Sequence, residues 1–375
     1  AEGIPVHFDE QPDQVDQEAD CVVYTPAIPD SHLELVWYRA HDYPVLKRSD
    51  ILQMIASSMQ AVCIAGTHGK TTISTMTAHL LRESGTGCNA FLGGISVNYQ
   101  SNYWADANPL AVIEADEYDR SFLKLHPYIS VVSAMDADHL DIYGTVEVME
   151  RCYLQFISQT TSVLIHKYGL KHASSFKAPQ QITYSLQNPA ADYYASDIRI
   201  RQGSYSFTCC KREEVLGHFD LAIGGMHNIE NAIAALAVCN QLHIPVPALQ
   251  RALADFKGVK RRFEYICRNT AHVYIDDYAH HPEELRMLLQ SARTLFEGRK
   301  LSVLFQPHLY TRTRDLCEGF AGSLDLADEV VLLDIYPARE LPIPGVSSQL
   351  ILDQMSLSAR HLLSRTDALN WIEAS

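Results

Sequence analysis

The chain has 375 residues, 47% apolar and 20% charged, which is enough for two or three domains with ordinary globular cores. Its 30 basic and 45 acidic residues leave a formal charge of −15, which argues against nucleic acid or an anionic membrane surface as the main partner. No apolar run reaches the roughly 18 residues of a membrane span and no signal peptide opens the chain, so a cytoplasmic protein without membrane insertion is expected. Its 9 scattered cysteines read as reduced thiols, with Cys209 and Cys210 as strand residues.

In chain order, Ala19–Tyr24 (ADCVVY) predicts a buried strand, followed by a helix over 31–40 and another over 49–58. One such unit is part of a doubly wound sheet, so residues 1–47 are expected to form an incomplete domain. The abrupt start and finish of the chain suggest a piece of something longer. The next stretch organises the rest. Ala61–Ala65 predicts a strand, Gly66-Thr67-His68-Gly69 a tight turn, and Lys70-Thr71-Thr72 the start of a helix with apolar Ile73, Met76, Leu80 and Leu81 and a C-terminal Gly85. A strand, a glycine turn and a helix N-terminus bring backbone N–H groups and a positive dipole end to one point, which suits a phosphate. Lys70 adds a charge, and the Thr71 hydroxyl can hold Mg²⁺. The generic phosphate-loop pattern has glycine where this chain has Ile64.

From 61 to about 255, alternating strand and helix patterns predict a parallel sheet covered on both faces, in a central domain over 48–255. Leu110–Ala115 predicts a strand ending at Glu114-Ala115-Asp116-Glu117, and Ile129–Met135 one ending at Asp136-Ala137-Asp138-His139. Ligands in open α/β sheets bind beyond the carboxyl ends of strands, and three consecutive strand ends here carry polar clusters. Met226-His227-Asn228-Ile229-Glu230-Asn231 opens a helix, with Asn228 and Asn231 on one face. A second α/β series, over 256–375, has strands ending at Asp277-Tyr278-Ala279-His280-His281-Pro282, at Gln306-Pro307-His308-Leu309-Tyr310-Thr311-Arg312-Thr313-Arg314, and at Tyr336-Pro337-Ala338-Arg339-Glu340. Two sheets whose functional edges face a cleft, joined near 250–260, are expected.

Each candidate has a plainer reading beside the functional one. Glu114 follows a buried strand segment and needs a cation or metal, whereas Asp116, Glu117 and Asp119 are expected to be more exposed. A solvated acidic loop is the alternative. His139 suits Mn²⁺ or Zn²⁺ better than Mg²⁺, and a hydrogen-bonded strand-end histidine is the alternative. Histidines 280, 281 and 308 lack the spacing of a closed zinc site. Arg262, beside Lys260 and Arg261, can offset phosphoryl charge or simply solvate a turn. Arg312 and Arg314 alternate in what reads as an extended loop, placed to clasp a carboxylate. Asn228 can pair with an adenine edge or cap its helix.

Together these segments resemble the Mur ligase family. The loop Gly66-Thr67-His68-Gly69-Lys70-Thr71-Thr72, lacking the first glycine of the generic pattern, looks like that family's. Glu114-Ala115-Asp116-Glu117, Asp138-His139, His227-Asn228-x-x-Asn231 and Arg262-Phe263-Glu264 match it in order and spacing. The segments at 277–282, 305–313 and 335–345 resemble its alanine-adding members, and the likeness runs over most of 20–347. It implies an α/β protein with a partial N-terminal Rossmann-like UDP-sugar domain, a central P-loop-type parallel-sheet ATPase and a truncated C-terminal Rossmann-like domain. It implies ATP-dependent joining of L-alanine to the lactyl carboxylate of UDP-N-acetylmuramate through an acyl phosphate, by a monomer or weak homodimer. Lys70 would hold the β/γ-phosphates. Thr71 and Glu114 would bind one Mg²⁺ and His139 a second, with Mn²⁺ as a substitute. Asn228 and Asn231 would contact adenine, Arg262 the γ-phosphate, and Asp277 and Tyr278 the ribose region. His280, as a base, and Arg312 would line the alanine and acyl-phosphate pocket. Leu309 stands where close relatives often carry arginine. The rival readings are a recycling ligase that attaches a preformed peptide to the same sugar nucleotide, and a nucleotide-binding regulator that does not catalyse.

Overall fold

A computed structural model describes residues 5–25, 28–136, 140–201, 203–338 and 340–374. The chain divides into two units. The first comprises residues 1–70, 87–92 and 103–183; the second comprises 71–86, 93–102 and 184–375.

In the first unit, strands β1 (Val22–Tyr24) and β2 (Val45–Lys47) pair in parallel on either side of helix α1 (Leu33–Ala40) in sequence. Helix α2 (Arg48–Ser57) then leads into β3 (Gln60–Ala65), which is buried from Ala61 to Ala65. Helix α3 (Lys70–Glu83), counted with the second unit from Thr71 on, and β4 (Asn89–Ser96) and β5 (Ser101–Trp104), each divided between the units, follow in sequence, then β6 (Leu110–Glu114) and β7 (Ile129–Val132). Helices α4 (Leu140–Tyr143) and α5 (Val146–Ser158) precede β8 (Val163–Lys167) and β9 (Gln180–Ser185). Strand β3 lies between β6 and β7 and is parallel to both, while β8 continues the ladder beyond β7. Strands flanked in this way carry unbroken apolar runs because both faces are covered. Ile64 pairs with Glu114 and Ala65 with Val132, so β3, β6 and β7 end at one level. Strand β7 stops at Val132, short of the predicted Met135, and Ser133 turns its hydroxyl to the loop after β3. The core beside this sheet includes Cys63, Ile113, Phe122, Tyr153 and Phe156. The Phe122 ring stacks on Phe156 at 5.1 Å.

In the second unit, β10 (Tyr193–Arg201) runs parallel to the end of β9, then pairs antiparallel with β11 (Ser204–Lys211), which pairs antiparallel with β12 (Glu214–Leu221). The predicted strand–helix alternation breaks here. Only residues 212–213 separate β11 from β12, too few for a crossover helix, and Arg212 takes the left-handed turn at φ +55°. Cys209 and Cys210 lie in β11 as expected. Helices α6 (Met226–Gln241) and α7 (Val246–Asp255) come next, then the antiparallel pair β13 (Glu264–Arg268) and β14 (Val273–Asp276). Helix α8 (Pro282–Leu295), β15 (Ser302–Phe305), α9 (Tyr310–Leu324), β16 (Glu329–Leu332), α10 (Gln349–Gln354), β17 (Arg360–Leu362) and α11 (Arg365–Ala374) complete the described chain. Strands β15, β16 and β17 form a parallel sheet against Leu285, Leu289, Phe320, Leu324 and Ile351.

Arg312 and Arg314 are not in an extended loop, as the sequence reading expects, but in α9. The alternation Thr311-Arg312-Thr313-Arg314 imitates a strand. The residues that decide are Thr313, Phe320, Ala321 and Leu324, all buried on one side at helical spacing. All 9 cysteines are free. Among the described residues, no helix is long and apolar enough to cross a membrane.

Candidate active site

The loop after β3 is held by the end of β7. Gly66 has φ +131° and Gly69 φ +83°, conformations that favour glycine. A Cβ on Gly66 would lie 2.8 Å from the Ala134 nitrogen and 2.9 Å from that of Ser133. The Thr67 N–H donates to the Ala134 carbonyl at 3.2 Å, and the Asp136 N–H donates to Thr67 Oγ1 at 3.2 Å. Ser133 Oγ donates to the carbonyls of Ala65 and His68. His68 is exposed, with Nε2 3.6 Å from Asp136 Oδ2. Lys70, Thr71 and Thr72 open α3, and both threonines are buried.

Lys70 does not project freely. Its Nζ donates to the Gly66 carbonyl at 2.8 Å and to Glu117 Oε1 at 2.7 Å. This overturns one expectation: Glu117 is not an exposed carboxylate but is 0% exposed. Burial pushes its carboxyl above the ordinary value, offset in part by the Lys70 ammonium. Asp119, another of the acids read as exposed, is half-buried and pairs with Lys47 at 2.9 Å. Glu114 is half-buried as the last residue of β6. The Thr71 hydroxyl and Glu114 carboxylate are hard oxygen donors of the kind Mg²⁺ takes. His139, named as the second metal ligand, lies outside the described residues, as does Asp138.

In the second unit, Gly225 is the N-cap of α6, so Asn228 is inside the helix and does not cap it. Asn228 Nδ2 donates to the Gly224 carbonyl at 2.6 Å, and Asn231 Nδ2 donates to Asn228 Oδ1 at 3.1 Å. Both amides are buried on one face, as their spacing predicts. His227 is held below its ordinary value, first by burial; the Glu230 charge opposes this and the Arg262 charge adds to it.

Arg262 sits in a turn with Arg261 at φ +58° and Phe263 at φ +50°. The Arg262 guanidinium is exposed, with no hydrogen-bond partner among the described residues. The turn is clamped by Asp277. Its Oδ2 accepts from the Phe263 N–H at 2.7 Å, and its Oδ1 accepts from the Ala279 N–H at 2.8 Å. Burial pushes this carboxyl above its ordinary value, while both N–H groups and the Arg262 charge pull the other way. Phe263 is buried against Gly224, where a Cβ would meet its Cδ1 at 2.5 Å. Tyr278 is 52% exposed.

His280 Nδ1 donates to the Tyr278 carbonyl at 2.8 Å. A neutral ring bonded this way leaves Nε2 unprotonated, as a base requires. His281 caps α8, its Nδ1 accepting from the Glu283 N–H at 3.3 Å. Arg312 Nη1 lies 3.5 Å from His308 Nδ1, and the His308 ring stacks on Tyr336. His308 is held below its ordinary value by burial, then by the Arg312 charge, then by His280. Two residues along the helix, Arg314 faces elsewhere and pairs with Asp315 at 2.7 Å. Leu309 is the N-cap of α9 at φ +73°, its N–H donating to the Tyr336 carbonyl at 3.0 Å. The sequence reading named Glu117 as an exposed acid and Phe263 only as part of a motif, and gave Ser133 no role. Spacing signals that an acid follows β6, not which acid the fold buries.

Comparison with known proteins identifies the family. Residues 64–239 match the Mur ligase middle domain and residues 261–375 the Mur ligase glutamate ligase domain. The UDP-N-acetylmuramate–L-alanine ligase of Porphyromonas gingivalis strain W83 is 44% identical over 383 aligned positions, spanning 100% of this chain and 84% of that protein. The crystal structure of the UDP-N-acetylmuramate–alanine ligase MurC from Thermotoga maritima superposes with a TM-score of 0.83 at 27% identity, covering 99% of this chain and 82% of that one. A murein peptide ligase from Psychrobacter arcticus shares the fold at a TM-score of 0.61 and 21% identity. The chain belongs to the Mur ligase family.

Proposed function

We propose that the chain joins L-alanine to the lactyl carboxylate of UDP-N-acetylmuramate, using ATP and releasing ADP and phosphate. One observation carries the reading: a glycine loop at the end of a buried parallel strand, closed by Lys70, in a chain 44% identical to a UDP-N-acetylmuramate–L-alanine ligase. A carboxylate and an ammonium do not condense unaided in neutral water. Phosphoryl transfer to the carboxylate makes an acyl phosphate, which the amine then attacks, expelling phosphate.

In this reading the loop Gly66–Lys70 and Thr72 cradle the phosphates, and Lys70 offsets their charge. Thr71 and Glu114 would hold a Mg²⁺ ion, which when bound supplies charge neutralisation for the phosphates, with Mn²⁺ as a substitute; His139 is assigned to a second ion. Asn228 and Asn231 face the adenine, and Arg262 the γ-phosphate. Asp277 acts by holding the Arg262 turn, and Tyr278 contacts the ribose. His280 takes a proton from the alanine ammonium at Nε2, which its bond to the Tyr278 carbonyl leaves free to accept one. Arg312 sits with it on the alanine side. The domain assignment 1–47, 48–255 and 256–375 and a cytoplasmic setting belong to the same reading.

The test is phosphate release by the full-length protein. Release is expected only when ATP, Mg²⁺, UDP-N-acetylmuramate and L-alanine are all present, and a Lys70→Ala variant is expected to lose it. A preformed tripeptide replacing alanine would instead identify a recycling ligase, and normal turnover by the Lys70→Ala variant would refute the mechanism.

A further inference from the structure

Glu117 has no part in the reading above, yet among the described residues it is the most thoroughly buried acid beside the loop. A carboxylate removed from water needs a counter-charge, and Lys70 supplies it at 2.7 Å. Among the described residues Glu117 Oε2 has no hydrogen-bond partner, and Lys70 is the cation that pairs with this side chain. An ammonium has three N–H donors. Lys70 spends one on Glu117 and one on the Gly66 carbonyl, leaving one for a phosphate oxygen.

The backbone around Glu117 is fixed from several directions. Its carbonyl accepts from Tyr143 Oη at 2.6 Å and from the Arg120 N–H at 2.9 Å. The next turn holds two left-handed residues, Asp119 at φ +54° and Arg120 at φ +57°, which persist only where surrounding contacts over-determine them. The Lys47–Asp119 pair at 2.9 Å and the Phe122 ring, packed between Tyr153 and Phe156, provide those contacts. A carboxylate held this firmly can fix a long, flexible lysine.

We propose that Glu117 is a positioning residue: it anchors the Lys70 ammonium so that its remaining N–H is presented to the transferring phosphoryl group. The proposal rests on the reading of this loop as the ATP site. A neutral acceptor in place of the carboxylate would hold the lysine weakly. The lysine would stay charged and still find a bound phosphate, but would spend less time in the geometry that turnover needs.

The experiment measures kcat, the KM for ATP and Tm for the wild type, E117Q and E117D. For E117Q, kcat is expected to fall by about tenfold or more while the KM for ATP changes by less than about threefold. E117D keeps the charge but withdraws it by one methylene, and is expected to give the same split with a smaller loss. It decides the matter if E117Q does not fold. Wild-type kcat in the folded variants, with or without a lowered Tm, overturns the proposal and marks the pair as merely structural. A wild type that never releases phosphate with the full substrate set overturns the functional reading itself.

Discussion

Replacing Gly66 with alanine tests how tightly the strand end holds the glycine loop after β3. The new Cβ would meet the Ser133 hydroxyl and lie 2.8 and 2.9 Å from two backbone nitrogens at the end of β7. Those nitrogens cannot swing aside as a side chain can, because β7 is paired with both β3 and β8. Alanine must also adopt φ +131° or the loop must shift. Strain at such a φ costs about 1–3 kcal/mol, and overpacking a close-packed site about 1–3 kcal/mol more. The sum, about 2–6 kcal/mol, corresponds to a Tm decrease on the order of 10 °C in a domain of this size. Any shift that relieves the clash also moves the His68 carbonyl that Ser133 holds, so the KM for ATP is expected to rise along with the loss of Tm. Thermal unfolding and ATP-dependent phosphate release measure the two effects. A Gly66→Ala protein with unchanged Tm and unchanged KM would refute the argument that the close approach of these backbones sets the loop.

Asp277→Asn replaces one accepting oxygen by an NH₂ group facing an N–H donor. It is expected to cost about 1–3 kcal/mol and to release the Arg261–Phe263 turn, lowering kcat/KM for ATP; chemical denaturation and steady-state kinetics check both effects. Glu150 accepts from Lys171 at 2.6 Å and His172 at 3.0 Å, and the Lys171 bond holds its carboxyl below the ordinary value. A depressed acid contributes stability above the unfolded-state value and loses it as pH falls through the folded one. Glu150→Gln is therefore expected to lower Tm at neutral pH, by about 1 kcal/mol of stability, and to flatten the decline of Tm below about pH 4.5. A parallel decline in wild type and variant would show that the pair carries none of the acid sensitivity.

Much of the stretch from Ala61 to Gly85 can be read from the chain because its signals are local and agree with one another. The apolar run Ala61–Ala65, the glycines at 66 and 69 and the helical spacing after Lys70 each specify backbone geometry within a few residues, and the structure follows them. Asn228 and Asn231 share a face for the same reason, since the helical period alone puts them there. Where a local pattern is ambiguous the reading fails: Thr311-Arg312-Thr313-Arg314 alternates like a strand, and only packing against the β15–β17 sheet makes it a helix.

By itself, then, the sequence determined the strand, glycine turn and helix around Gly66–Lys70, the order of polar strand ends and, by resemblance, the family. It could not say which acid after β6 is buried. Glu114, Asp116, Glu117 and Asp119 are chemically alike, and burial depends on residues distant in the chain: Tyr143 holding the Glu117 carbonyl, Lys47 drawing Asp119 away, and Lys70 supplying the ammonium that offsets Glu117. The same holds for Asp277, whose two oxygens are committed to N–H groups that only the folded turn brings together. Spacing along a chain places residue types at an edge; the desolvation that gives one of them its role is decided only when the elements pack.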